Sequence, residues 1–252
     1  LADKKHDQLL SGQLHFINEV WAVTNGEHQQ DSLAFHKLIE QYIKNDQWLY
    51  AGQCYHYLAK NHFDHKEYGQ AFENFFMAFD IFDKIGFENV PNGTKFLHDF
   101  ALTRYFFKDY KEVINLMHIS LKNPPYNSNH HIQRYNNLGV SYYHLGQKDS
   151  AVFYFEKTKE LGKKYNSKAW EGITLGNIGN IYFRDKDYST ALQNYKQQYE
   201  VLKDSPFDPI RIFSYLNVAK TYLRLDSLSK TKGFLMLVER DYNNLRQNKS
   251  YG

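Results

Sequence analysis

One cysteine, Cys54, in 252 residues excludes an internal disulfide, and with it any reading of the redox compartment. A buried small apolar residue is the expectation for it. Prolines number only 5, and all of them (Pro91, Pro124, Pro125, Pro206, Pro209) fall outside the expected helix interiors. Long apolar runs are missing too. The most apolar stretch, Ala71 to Phe82, is broken by Glu73, Asn74 and Asp80, well short of the ~20 residues a membrane span needs. No span is therefore expected in this region, and the chain reads as soluble, whether cytoplasmic or periplasmic. Leu, not Met, stands first, which points to a processed protein or a piece of a longer one that has lost a leader or anchor. Charge of one sign is also lacking: the formal net charge is +3, with acids and bases interspersed, so no basic tail or patch suggests nucleic acid as a partner.

Sequence patterns for catalysis are equally scarce. No GxSxG, phosphate-loop or GxGxxG stretch opens a strand, and no strand is evident. His130 and His131 close a polar loop, and Cys54, His56, His62 and His65 cluster in sequence. Neither set places a ligand group on one helix face. Asp185 and Asp187 sit at a helix-helix turn, where a solvated face accounts for them. The expectation is a protein that is not an enzyme and carries no metal and no cofactor.

What is present is aromatic and periodic. Tyr and Phe number 21 and 19, and aromatic residues make up 17% of the chain, which suits helices packed through large side chains and does not suit disorder. The stretch Tyr135 to Phe155 sets the unit: Leu138-Gly139, Tyr142, Ala151 and Phe155. Ile178-Gly179, Tyr182, Ala191 and Tyr195 repeat those offsets, as do Val218-Ala219, Tyr222, Thr231 and Leu235. Tyr142, Tyr182 and Tyr222 are 40 residues apart. A fixed step shared by small, aromatic and apolar positions implies tandem pairs of antiparallel helices. The small residues admit close helix crossings, the aromatic ones fill the space beside them, and each hairpin covers the apolar face of its neighbour.

Earlier units are looser. Tyr55, Leu58-Ala59, Tyr68, Ala71, Phe75 and Ala78 form one hairpin, with His62 where an aromatic residue is called for. Phe100-Ala101, Asp109-Tyr110, Val113 and Met117 form the next, with Arg104 in the aromatic position and Tyr105 beside it. The loops 89–93, 123–129 and 203–209 separate hairpins. Residues 4–21 read as a helix (Leu9, Leu10, Leu14, Ile17, Val20, Trp21), Asn25-Gly26 as a turn, and Asp31-Ser32 as the N-cap of a second helix through Ile43. The expected division is thus an N-terminal hairpin over 1–46, a diverged repeat or cap; tandem repeats over 47–245; and a frayed tail or linker start over 246–252.

These residues resemble tetratricopeptide repeats, with units about six residues longer than the usual 34. The resemblance covers nearly the whole chain, strongly over 130–240 and weakly before residue 50. It implies an all-α, right-handed superhelical solenoid whose first helices line a concave, peptide- or protein-binding surface. Longer units of this kind are also similar to those of bacterial peptide-pheromone receptors, kinesin light chains, and the regions preceding histidine kinases and helix-turn-helix regulators.

The expected site follows the repeat. Asn137, Asn177 and Asn217 are again 40 apart, and a file of amides can hold an extended peptide by its backbone. Asn180, Lys220, Arg184 and Arg224 lie close by, with Tyr143 and Phe183 as an apolar floor; the cations favour an acidic segment or free carboxylate. The competing reading has the asparagines satisfying polar groups between helices, and the arginines as solvated helix ends. The leading expectation is the sensor or scaffold part of a bacterial signalling or transcription-regulatory protein. The alternative is a regulator of a response-regulator or other enzyme, acting through the N-terminal helices. Self-association stays open.

Overall fold

The computed structural model describes Phe16, residues 32–204 and residues 208–249. The helix expected over 4–21 and the Asn25-Gly26 turn lie outside the described residues, Phe16 apart. Those described form eleven α-helices and one 3-10 turn, with no strand among them. The chain parts into two compact units, Leu1–Phe100 and Ala101–Gly252.

In the first unit are α1 (Ser32–Lys44), α2 (Trp48–Asp64), α3 (Tyr68–Ile85), the 3-10 turn Phe87–Asn89, and the start of α4 (Gly93–Phe106). Its core is phenylalanine-rich. Phe75 stacks on Phe100 with centroids 5.0 Å apart, and Phe82 meets Phe96 edge-on at 4.9 Å. Small residues of α2 and α3 (Ala51, Cys54, Ala59, Ala71, Ala78) are fully buried, which is the role expected for Cys54.

The second unit takes the rest of α4, then α5 (Tyr110–Leu121), α6 (Ser128–His144), α7 (Lys148–Lys164), α8 (Lys168–Arg184), α9 (Tyr188–Leu202), α10 (Asp208–Arg224) and α11 (Leu228–Lys249). Helices α6, α8 and α10 begin 40 residues apart and are each 17 residues long. Ala151 and Phe155 pack with Ile178 and Ile181 of the following hairpin. Ala191 and Tyr195 pack in the same way with Val218 and Tyr222. Every hairpin of this stack therefore shares a core with the next. Close crossing explains the paired glycines: a Cβ on Gly139 would lie 2.6 Å from the Phe155 ring, and one on Gly179 2.5 Å from Tyr195. Helix α11 runs through Lys249, into the stretch expected to fray.

The turns joining first to second helices share one construction. Lys66, Lys108, Gly146, Lys186 and Asp226 have positive φ. Beyond each, a backbone N–H closes back on the helix: Glu67 to His62 O, Asp109 to Arg104 O, Gln147 to Tyr142 O, Asp187 to Tyr182 O, Ser227 to Tyr222 O, at 2.8–3.0 Å. This is the left-handed C-terminal cap, and only at Gly146 is it made by glycine. The two unexpected residues at the aromatic position have a common explanation. His62 contacts the Glu67 carboxylate, and the Arg104 guanidinium donates to Asp109 at 3.3 Å. Each bridges its own turn.

Candidate functional site

Within the second unit, α6 touches α8 and α8 touches α10, so the first helices of three hairpins form one continuous face. The candidate residues occupy it at a common phase because 40 residues return each side chain to the same position in the unit. Asn137, Asn177 and Asn217 are all half-buried.

Their hydrogen bonds run between helices. The Asn177 amide donates to Asn136 Oδ1 on α6 at 3.3 Å. Asn217 donates to Gln198 Oε1 on α9 at 3.2 Å, and the Asn137 amide nitrogen lies 3.9 Å from the Met117 sulfur. Asn180 accepts from the Tyr195 hydroxyl at 2.7 Å. The asparagines thus join neighbouring helices. An amide has two donor hydrogens and two lone pairs, so one such bond leaves capacity for another partner.

The cations sit on the rings expected to form the floor. The Arg184 guanidinium stacks 4.3 Å above the Tyr143 ring and donates to the Tyr143 carbonyl at 2.9 Å. Lys220 Nζ lies 4.2 Å above Phe183. Tyr143 and Phe183 are therefore roofed by cations from the following hairpin. Arg184 also neutralises the negative end of α6, combining the helix-end role with a place on the face. Arg224 is exposed at the end of α10.

The acidic pair at the α8–α9 turn is taken up locally. Asp185 accepts from Lys148 at 2.6 Å, and Asp187 caps α9 by accepting from the Thr190 N–H at 3.0 Å. The histidines do not converge: His130 is fully buried against Tyr126, and His131 contacts the Tyr165 hydroxyl at 3.0 Å. Among the described residues no three His, Cys, Asp or Glu side chains lie close enough to share a metal. None of the described helices is long and apolar enough to cross a membrane.

A second polar cluster, in the first unit, escaped sequence reasoning. The Asp99 carboxylate receives His56 Nε2 at 3.1 Å, Lys60 Nζ at 3.5 Å and Lys95 Nζ at 3.7 Å. Burial works against ionisation of Asp99 but is outweighed by the His56 hydrogen bond and the three neighbouring donors, which hold it at about 2. Burial pushes His56 below its usual value, against the pull of Asp99. This cluster borders a cavity of about 420 Å³. His56 and Asp99 are 43 residues apart and belong to different hairpins, and no sequence spacing announces such a pair.

Residues 132–169 match the family profile of the tetratricopeptide repeat. No curated protein matches the chain as a sequence. Among solved structures, the chain is similar to aspartyl phosphate phosphatase F from Bacillus subtilis (TM-score 0.70, 16% identity, 81% of this chain and 55% of that one). It thus spans little more than half of that phosphatase. It is also similar to BtubC (BKLC) from P. vanneervenii (TM-score 0.63, 13% identity, 92% of each chain). A third likeness is the signal-transduction ATPase PH0952 with a tetratricopeptide repeat sensor from Pyrococcus horikoshii (TM-score 0.62, 14% identity, 89% of this chain and 34% of that one). The chain is an all-α repeat protein of tetratricopeptide-like hairpins.

Proposed function

We propose that this chain is a protein- or peptide-binding module, the sensor or scaffold part of a bacterial signalling or transcription-regulatory protein, and that it holds a peptide segment along α6, α8 and α10. The supporting observation is the repeated placement on that face: half-buried amides at Asn137, Asn177 and Asn217, beside rings at Tyr143 and Phe183 that carry cations. Amides can pair with the peptide backbone and the cations with acidic groups, so the face suits an extended segment with acidic side chains. Among similar folds, the Pyrococcus protein's tetratricopeptide region is described as a sensor, in keeping with this role.

The test is an acidic-peptide library panned against the whole chain, with hits resynthesised and titrated. The Asn177→Ala, Asn217→Ala double variant should lose at least tenfold in affinity for a hit that the native chain binds. Equal binding by both forms would remove the face from consideration.

A second reading, a regulator of a response-regulator partner acting through the N-terminal helices, draws on the fold shared with phosphatase F. Removing residues 1–45 should then abolish the effect on such a partner and spare peptide binding; loss of both, or of neither, counts against it.

A further inference from the structure

Helix α11 closes the second unit with one side unused. Its inner side is engaged: Thr231 and Asp241 are buried, and Asp241 receives Arg211 of α10 at 2.8 Å. On the other side Leu228, Lys232, Leu235, Glu239, Tyr242 and Arg246 follow one another at steps of four and three residues, the spacing of a single helix stripe, and all six are exposed. Met236 lies beside this stripe, and Phe213 and Leu223 are exposed on α10. Leu223 holds the phase of Tyr143 and Phe183, and Leu235 that of Phe155 and Tyr195, which in earlier units lie against the hairpin that follows. These apolar side chains (Phe213, Leu223, Leu228, Leu235, Met236, Tyr242) are 46% to 70% exposed. At ~200 Å² for a fully exposed large side chain they present roughly 700 Å², close to the ~800 Å² that each partner of a stable complex contributes.

The order of residues on α11 makes this surface complementary to itself. Leu228 and Tyr242 stand seven residues to either side of Leu235. A second copy turned antiparallel about Leu235 therefore sets Leu235 on Leu235, Leu228 on Tyr242 and, within one residue of the same register, Lys232 on Glu239. It also brings Arg246 near Asp226, the exposed turn residue ahead of α11. Lys232, Glu239, Arg246 and Asp226 have no ion pair among the described residues, so all four charges are available to a partner. A parallel copy would instead set Lys232 on Lys232 and Glu239 on Glu239. On α10, Phe213 and Leu223 stand five residues to either side of Val218, and Val218 and Leu235 are equally far from the Asp226-Ser227 turn. One twofold axis thus serves both helices. We propose that this chain forms a homodimer through the outer face of α10 and α11, with α11 antiparallel to its copy and Lys232 of each chain paired with Glu239 of the other. The contact is isologous, so it closes as a dimer and does not propagate. It does not depend on the reading given for the face on α6, α8 and α10.

Sedimentation velocity of the whole chain, from micromolar to sub-millimolar concentration, tests this. A reversible dimer of twice the 30.0 kDa chain mass is expected. Leu235→Glu, an exposed position on the axis, should leave only monomer, with helicity by circular dichroism unchanged. Lys232→Glu and Glu239→Lys should each weaken the dimer at least tenfold, because both cross-chain pairs become repulsive. Mixing these two variants should restore a dimer holding one chain of each, since every glutamate at these positions then meets a lysine; a mass tag on one variant identifies it. A native chain that stays monomeric throughout would overturn the proposal and leave the face to another cover, such as residues 1–31 or a further hairpin. A dimer that survives Leu235→Glu, or two weakened variants that fail to recombine, would overturn it as well. The mixing experiment decides the matter even if Leu235→Glu fails to fold.

Discussion

The Tyr195 hydroxyl donates to Asn180 Oδ1 at 2.7 Å, across the crossing that Gly179 makes possible. Burial pushes the Tyr195 phenol up, so the ring enters the core with its proton retained and directed at the amide. Asn180 therefore uses one lone pair of its oxygen inside the hairpin and keeps the other and its NH2 group for further partners.

That geometry makes the crossing sensitive to a single methyl group. Gly179→Ala places a Cβ about 2.5 Å from a ring that is 2% exposed and hydrogen-bonded, and it cannot swing aside. The gain in helix propensity, about 1 kcal/mol, is outweighed by overpacking, for a net loss of roughly 1–2 kcal/mol in urea denaturation. Ala191→Leu, at a fully buried position of the same core, should cost roughly 1–3 kcal/mol. A neutral result for both would mean that this crossing is looser than described.

Arg134 is 2% exposed and donates from one nitrogen to Ser120 O at 2.6 Å and Asn123 O at 2.8 Å, closing the C-terminal end of α5. Arg134→Ala removes the side-chain donor from the Asn123 carbonyl, leaves Ser120 O with only the Asn123 N–H at 3.2 Å, and opens an empty volume. The expected loss is about 3 kcal/mol, read from denaturation midpoints. An effect under 0.5 kcal/mol, roughly the size of a surface change, would show that water replaces the guanidinium.

Lys186 holds a left-handed conformation, φ 63°, at the turn between α8 and α9, where Gly146 serves in the preceding unit. Lys186→Gly relieves the Cβ clash and should raise stability by roughly 0.5–1 kcal/mol, after the entropy a glycine adds to the unfolded chain. The converse change, Gly146→Ala, should lower it by a similar amount. Differential scanning calorimetry on the two variants checks both signs.

The Asp99 carboxyl pKa is lowered to about 2 in the fold, from 3.8 for a free aspartate side chain. Its depressed value means stabilisation that is complete above pH ~4 and fades as pH falls towards 2, worth about 2 kcal/mol in that window. His56 and His98 are held down by burial, so stability also declines as pH drops below the ordinary histidine value. Denaturation midpoints measured from pH 8 to 2 should show both declines. Asp99→Asn should remove the lower one, and a persisting loss between pH 4 and 2 of the same size would assign it to other carboxylates.

Much of the second unit was legible as text. The recurrence of Gly139 and Gly179, of Ala151 and Ala191, and of Tyr142, Tyr182 and Tyr222 fixed the hairpins because a crossing needs small residues opposite large ones at a constant offset. His62 and Arg104 were harder to place. The pattern expects a ring there, and only the turn geometry shows that His62 contacts Glu67 and that Arg104 pairs with Asp109, each across its own turn. The asparagine phase was legible; what each amide touches was not. Asn177 meets Asn136, one residue off the ladder, and Asn217 turns to Gln198 on another helix.

By itself the sequence determined the repeat, its step, its turns and the all-helical class, because these rest on local spacing and on residue size at crossings. Tertiary structure alone decided exposure and company. Phe155, Tyr195 and Leu235 occupy one phase, yet their exposures are 1%, 2% and 46%, since among the described residues no further hairpin covers α11 as α8 covers α7 and α10 covers α9. Likewise, the meeting of His56, Lys60, Lys95 and Asp99 beside one cavity depends on how two hairpins pack. That contact is long-range and leaves no periodic trace along the chain.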